Sequence, residues 1–324
     1  MSKSKVIYCT YFNKNYLLKG LALHASLVKF DPSAKLWILC MDNCTKELLD
    51  RMALKGVTTI ALADFEDEEL KIAKTNRSLV EYFWTCTPSV PRYVLRKNRE
   101  IDMAFYLDAD LFFYSSPEPI FKEFGTSSIY MVEHRYPEGE MYRCDISGRF
   151  NVAVNIFRND KEGNACVNYW RAKCNEWCYL KEEPGRFGDQ LYLNEWPTKY
   201  KKVTISLNLG VDAAPWNISK YSVSEKKGET YINQDKLIIY HFHQLEYYTP
   251  QNYIFAEGYS FSTPIKDYIY KPYIQALNTA FAMAKKFDPN YKLIPQIKSP
   301  YVKLKRVVSK YFGPTYWYLR GIFQ

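Results

Sequence analysis

From Lys5 to Ala61 the chain alternates short β-branched runs with segments of helical periodicity, an order that few architectures accept. Lys5–Cys9 (KVIYC) reads as a strand. In Tyr16–Phe30 that follows, Leu17, Leu21, His24, Leu27 and Val28 recur at helical spacing. Leu36–Cys40 then reads as strand, Thr45–Lys55 as helix and Val57–Ala61 as strand. A helix between two strands returns the chain to the same end of the sheet, so βαβαβ with short connections predicts a parallel sheet covered by helices.

The same reading continues along the chain. Ser78–Leu95 is expected to be helical around Pro88 and Pro91, and Ala104–Leu107 forms a buried strand that runs straight into Asp108-Ala109-Asp110. Ile129–Val132 and Val152–Phe157 are apolar and strand-like, Asn164–Leu180 helical, Asp189–Glu195 a short helix and Leu237–Tyr240 a last strand. The one boundary signal is the Pro-punctuated segment Pro289–Pro300. The expected organisation is a single domain over residues 1–270 and a helical, basic extension over residues 271–324.

Composition narrows the partners. With 47% hydrophobic and 24% charged residues over 324 positions, the chain has enough apolar material for one large α/β domain. No charged start precedes an apolar core at the N-terminus, and no stretch of apolar residues is long enough to span a bilayer, so a cytoplasmic protein is expected. In that reducing compartment the eight cysteines, including Cys174 and Cys178 at i, i+4, are expected to stay as buried thiols. The net charge of +9 is not spread over the chain: residues 285–324 hold nine basic residues and a single acid, Asp288, leaving the rest near neutrality. That distribution argues against a nucleic-acid groove and for one local contact with an anionic surface.

The chemistry starts at Phe105-Tyr106-Leu107-Asp108-Ala109-Asp110-Leu111-Phe112-Phe113. Ligands of parallel α/β sheets gather at the carboxyl ends of strands, and residues i and i+2 of an extended chain face the same way. Two carboxylates held so close repel each other, and a divalent cation offsets that repulsion. An isolated D-x-D is often no more than a solvated turn; its position directly after a hydrophobic strand, between large apolar residues, favours function.

YLDADLFF, after a βαβαβ start, resembles the metal-binding D-x-D of GT-A fold glycosyltransferases, in particular those of family 8. Arg149-Phe150-Asn151-Val152-Ala153-Val154-Asn155-Ile156-Phe157 resembles the family's donor-sugar strand, Gly188-Asp189-Gln190 its D-Q pair beside the sugar ring, and Leu237-Ile238-Ile239-Tyr240-His241-Phe242 its late strand ending in a metal-binding His. The resemblance implies a GT-A type, Rossmann-like mixed sheet flanked by helices. It also implies a retaining hexosyl transfer from a nucleotide-sugar donor, a UDP-sugar by analogy, to a glycan or lipid-linked acceptor such as a bacterial surface polysaccharide. The metal would be held by Asp108, Asp110 and His241, the donor by Thr10, Tyr11, Asn13, Asp108, Ala109, Asp110, Asn151 and Asn155, and the reacting sugar by Asp189 and Gln190. Two departures stand out. Where the family has G-x-x-K-P-W after the late His, this chain reads His241-Phe242-His243-Gln244-Leu245-Glu246, so His243 or Lys266 has to supply the missing charge. Asn151 is followed by Val152-Ala153 instead of a glycine.

Physical chemistry points the same way. When a nucleoside diphosphate leaves the anomeric carbon, charge grows on its bridging oxygen, and a cation stabilises it as a Lewis acid. Two carboxylates and an imidazole suit Mn²⁺ or Mg²⁺, the imidazole tilting the choice towards Mn²⁺. Of the four histidines, His24 faces the core side of an early helix and reads as structural, while His134 in a loop stays undecided. Asp189 and Gln190 can hydrogen-bond sugar hydroxyls, or else cap a helix after Gly188. Val211–Asn217 is expected to line the acceptor side, where Trp216 either packs on a sugar or belongs to the core. A haloacid-dehalogenase-type phosphatase, which also uses a D-x-D with Mg²⁺, and an inactive sugar-nucleotide-binding protein are the alternatives.

The tail carries a separate expectation. Tyr301, Leu304, Val307, Val308, Tyr311 and Phe312 cluster on one side of a helical wheel, opposite Lys303, Arg306 and Lys310, and Tyr316-Trp317-Tyr318 follow. This pattern fits a helix packed on the domain, or an interfacial helix that holds residues 301–324 peripherally on the inner face of an anionic membrane.

Overall fold

The computed structural model describes residues 5–293. Seven strands form the central sheet in the order β3-β2-β1-β4-β7-β6-β8: β1 (Val6–Phe12), β2 (Leu36–Cys40), β3 (Val57–Ala61), β4 (Met103–Leu107), β6 (Ile129–Glu133), β7 (Phe150–Arg158) and β8 (Val203–Ile205). β1 to β4 are mutually parallel, β7 runs antiparallel to both β4 and β6, and β6 pairs parallel with β8. The parallel sheet read from the sequence is therefore one half of a mixed sheet.

Side-chain alternation divides the interior into two cores. Tyr8 and Phe12 of β1, Leu36 and Ile38 of β2, and Phe105 and Leu107 of β4 are buried on one face. Ile7 and Cys9, Leu39, and Ala104 and Tyr106 are buried on the other. Both faces of these strands are apolar because helices cover both, as parallel strands require. Helices Leu17–Phe30, Asn43–Met52 and Lys271–Phe287 pack on the first face, and Ser89–Lys97 and Lys161–Glu176 on the second. The first helix positions are fixed by side chains: Asp42 Oδ1 accepts from Thr45 N at 2.7 Å, while its Oδ2 accepts from Lys14 N at 2.8 Å. The stretch expected as one helix around Pro88 is two, Leu79–Cys86 and Ser89–Lys97: Thr87 and Pro88 keep helical backbone angles, but Pro88 has no N–H to continue the hydrogen-bond ladder. Pro91 is tolerated in the first turn of the second, where backbone N–H groups have no partner to lose.

A smaller sheet lies on the first face: β5 (Leu111–Phe113), β13 (Ile239–His241) and β9 (Val211–Ala213), with β13 antiparallel to β5 and parallel to β9. The hairpin strands β10 (Val223–Lys226), β11 (Glu229–Ile232) and β12 (Asp235–Lys236) connect β9 to β13. Gly210 makes the β9–β13 junction possible. Its carbonyl accepts from Ile238 N at 2.8 Å and Ile239 N at 2.9 Å, and a Cβ at this position would stand 2.0 Å from the Lys236 carbonyl oxygen.

Helix Lys271–Phe287 buries Tyr273, Ile274, Leu277, Ala280 and Ala284, and Tyr291 beyond it donates to the Lys14 carbonyl at 3.1 Å. The start of the basic extension is thus helical and shares the first core. Residues 301–324, read as an interfacial helix, lie outside the described residues. No helix among the described residues is long and apolar enough to cross a membrane. All eight cysteines are free thiols, Cys174 and Cys178 buried among them.

Candidate active site

The Asp108–Asp110 turn joins the two sheets. Asp108 N donates to Ala153 O of β7 at 3.0 Å, which extends the main-sheet ladder, while Phe242 N donates to Asp110 O at 2.9 Å, which extends the small one. Backbone pairing on both sides therefore sets the positions of the two carboxylates. Ala109 between them is buried. His241, the last residue of β13, completes the group: one ligand atom each from Asp108, Asp110 and His241 lies within 4.8 Å of the others. These are the three residues that the resemblance named as metal ligands. The donor set of two carboxylates and one imidazole fits a divalent cation such as Mn²⁺ or Mg²⁺.

Charge balance explains each protonation state. Burial lifts the Asp108 carboxyl to about 6; the His241 charge works against this, and Asp110 and Asp212 add to it. Burial also opposes ionisation of Asp110, but the nearby Lys19 and His241 outweigh it and hold that carboxyl well below the usual range. Lys19 Nζ stands 3.5 Å from Asp110 Oδ2, and His241 Nε2 stands 3.2 Å from Oδ1. For His241, burial favours the neutral ring, yet Asp110 and then Asp212 raise its pKa to about 10. A cation binding here displaces that proton. His243 is pushed the other way, to about 3, by burial and by the charge on His241.

Sequence reasoning did not pick out Lys19 or Asp212. Lys19 sits in the first turn of helix Leu17–Phe30 with only 11% of its side chain exposed, and it shares an open cavity of about 260 Å³ with Tyr16, Asp110, His243 and Gln244. Asp212 is buried in β9, with Oδ1 3.4 Å from His241 Nδ1. Lys266, one of the expected replacements for the missing cation, is exposed on the turn Lys266–Tyr270.

The sugar and nucleotide candidates differ in their surroundings. Asn151 is buried beside the acids, its Nδ2 3.3 Å from His241 Nδ1 and its Oδ1 accepting from Ala153 N at 3.0 Å. Asp189 is buried and hydrogen-bonded to Thr87, whose hydroxyl lies 3.0 Å from that of Tyr11. Asp189 caps no helix, since the short helix Leu191–Glu195 begins after Gln190 and has no side-chain cap. The Gln190 amide spans two backbone segments, donating to Ser147 O and accepting from Val152 N at 3.4 Å. Asn13 caps the turn before the first helix, accepting from Asn15 N at 3.1 Å. Thr10 Oγ1, Asn155 Oδ1 and Asp189 Oδ2 are buried with no hydrogen-bond partner, which is costly for a folded protein unless another molecule supplies one. Trp216 belongs to the core: its ring meets His241 and His243 edge-on at 5.2 and 5.4 Å, and its Nε1 donates to His134 O at 2.9 Å. His134 stacks on Tyr136 at 4.7 Å, and His24, as expected, is structural, bonding the Lys55 carbonyl at 2.9 Å.

Asp189 makes stability depend on pH. Burial, with Asp108 adding to it, raises its carboxyl to about 7, against 3.8 for an ordinary Asp. The folded chain therefore keeps a proton that the unfolded chain releases between those values. The Asp189 contribution to stability falls as pH rises from about 4 to 7, by up to about 1.4 kcal/mol per pH unit, and is level above. Asp189→Asn is expected to flatten that slope and to raise Tm at pH 8 relative to the wild type. Parallel Tm–pH profiles of the two proteins test the assignment.

No family model matches the chain. The uncharacterized protein YfnD of Bacillus subtilis (strain 168) is 34% identical over 271 residues, which cover 82% of this chain and 87% of YfnD. YfnF of the same strain is 33% identical over 242 residues, covering 72% of this chain and 80% of YfnF. Among solved structures, the galactosyltransferase LgtC in complex with donor and acceptor sugar analogues superposes with a TM-score of 0.51 at 12% identity, covering 84% of this chain and 95% of LgtC. An active-site mutant of LgtC gives 0.54 over the same shares. Apo GlyE of Streptococcus pneumoniae TIGR4 gives 0.50 at 16% identity, covering 88% of this chain and 64% of GlyE. The chain thus belongs to the family of YfnD and YfnF and has the GT-A fold of the glycosyltransferases.

Proposed function

We propose that this protein is a cation-dependent glycosyltransferase that moves a sugar from a nucleoside-diphosphate donor, a UDP-sugar by fold analogy, to a glycan or lipid-linked acceptor. The observation that carries this reading is the convergence of Asp108, Asp110 and His241 within 4.8 Å at the carboxyl end of β4. Asp108, Asp110 and His241 would hold Mn²⁺ or Mg²⁺, which when bound acts as a Lewis acid on the departing diphosphate.

The chain's own residues supply the remaining functions. Lys19, ion-paired with Asp110 and facing the cavity, offers a fixed positive charge to the same leaving group. Asp189 and Asn151 present buried polar groups to the sugar, and the free Oδ2 of Asp189 is an acceptor for one of its hydroxyls. Thr10 and Tyr11 near the end of β1 and Asn155 on β7 would hold the nucleotide, a reading supported by the buried Thr10 Oγ1 and Asn155 Oδ1 that have no hydrogen-bond partner. The phosphatase and inactive-scaffold alternatives are not favoured by an arrangement in which carboxylates, imidazole and lysine converge on one cleft of a GT-A fold.

A ligand that binds only the folded protein raises Tm by mass action, by about 2.7 kcal/mol of stability at one hundred times its Kd. A panel of UDP-, GDP-, ADP- and CMP-sugars is therefore expected to contain at least one that raises Tm with Mn²⁺ present and not with EDTA. A panel that leaves Tm unchanged under both conditions would rule the donor reading out.

A further inference from the structure

The structure assigns to Asp212 a role that rests on the cation reading above: it is the positioning residue that fixes the His241 tautomer, leaving Nε2 free to ligate the cation. Three observations converge on it. Asp212 is completely buried, at 0% exposure. Neither of its oxygens has a hydrogen bond of ordinary geometry, and its nearest charged partner is His241 Nδ1 at 3.4 Å. Its backbone lies in the left-handed region, with φ of 59°, where Asn, Asp and Gly are the residues best tolerated. A buried carboxylate on left-handed backbone, with no hydrogen bond of ordinary geometry and one histidine beside it, does not help the fold, and its persistence calls for another use.

Competition for one nitrogen supplies that use. Asn151 Nδ2 also lies within reach of His241 Nδ1, at 3.3 Å, and the amide cannot turn over without losing the bond from Ala153 N to Asn151 Oδ1. Asn151 therefore offers Nδ1 a donor, and Asp212 offers it an acceptor. A neutral imidazole carries one proton. If Nδ1 accepted from Asn151, the proton would sit on Nε2 and block ligation. If Nδ1 donates to Asp212, the Nε2 lone pair is free on the side where Asp110 stands. A carboxylate can only accept, so Asp212 selects the ligating form, and the Asn151 amide is left to face the sugar. Carboxylate–histidine pairs of this kind orient metal-bound imidazoles generally.

Two substitutions isolate the effect on the full-length chain. Asp212→Gly removes the carboxylate and suits the left-handed backbone, and Asp212→Asn keeps the shape while leaving a neutral oxygen that can still accept. Mn²⁺ affinity, measured by calorimetry and by the Mn²⁺-induced change in Tm, is expected to fall by about 10–100-fold in the glycine variant and less in the asparagine variant. The metal-free Tm of both should equal or exceed that of the wild type, which a purely structural role would not produce. A glycine variant that folds and binds Mn²⁺ as the wild type does would overturn the assignment. If it does not fold, undiminished Mn²⁺ affinity in Asp212→Asn overturns it instead. A wild-type chain that takes up no Mn²⁺ defeats the cation reading itself, and the role of Asp212 with it.

Discussion

Asp110→Asn is expected to lower kcat/KM for sugar transfer by about 10²–10³-fold, the scale of losing one preorganised electrostatic group aimed at developing charge. Asp110 has two charged partners, Lys19 on one oxygen and His241 on the other, and would hold the proposed cation with Asp108 and His241. Asparagine keeps the shape and the backbone bond from Phe242 N, so the fold should survive. It removes the negative charge, however, so Lys19 loses its ion pair and His241 is left with Asp212 as its ion-pair partner. The measurement is the initial rate over a range of donor concentrations, repeated across a Mn²⁺ titration, with Asp108→Asn as companion. Activity within tenfold of the wild type, or activity indifferent to EDTA, would show that the turn does not hold a catalytic cation.

Lys19→Met is expected to weaken binding of UDP in the presence of Mn²⁺ by about tenfold and to reduce turnover by about 10²-fold, since a lysine clamp acts on charge that grows in the transition state. Family 8 enzymes place a lysine after the late histidine; this chain has His243-Gln244-Leu245-Glu246 there, and burial keeps His243 neutral near pH 7. Lys19 differs in being charged. Burial disfavours its ammonium form, but Tyr16 and Asp110 more than offset this and raise its pKa. Methionine fills nearly the same volume, so packing along the first helix turn is kept. Lys19→Arg should recover part of the loss, because the charge returns with a different reach. A lower Tm with unchanged UDP affinity and turnover would mean the lysine only neutralises Asp110.

What could be read from the sequence follows from the length and regularity of each element. β1, β2, β3 and β4 were legible because runs of four or five mostly apolar or β-branched residues with helical segments between them have few other interpretations. β5 and β9 span three residues each, too short for any period to show, and Leu237–Tyr240 announced β13 without its partners, so the small sheet and its meeting with the D-x-D turn were invisible. The direction of β7 was hidden too, since an apolar run reads alike whether parallel or antiparallel. Asp108, Asp110 and His241 were legible as residue types that chemistry requires at strand ends. Lys19 was not, because a lysine in a helix reads as solvated surface until the neighbour across the fold is known. Asp212 lay in a segment where Trp216 drew the attention; only its burial beside His241 marks it out.

The joining of two sheets at Asp108-Ala109-Asp110 also bears on the order in which the molecule comes into being. Lys19, the two acids, Asp212 and His241 are spread over most of the described chain, whereas β1 to β4 with their helices need nothing beyond residue 107 to pair with one another. Contacts distant in sequence close late, because the loop entropy must be lost before they form. During synthesis the early strands can therefore settle while the acids still lack their histidine, and the ligand set closes only when β13 slots between β5 and β9. Until that moment a nascent chain has only Lys19 as counter-charge to the two acids, so competence for catalysis and completion of the small sheet arrive together, as one event late in folding.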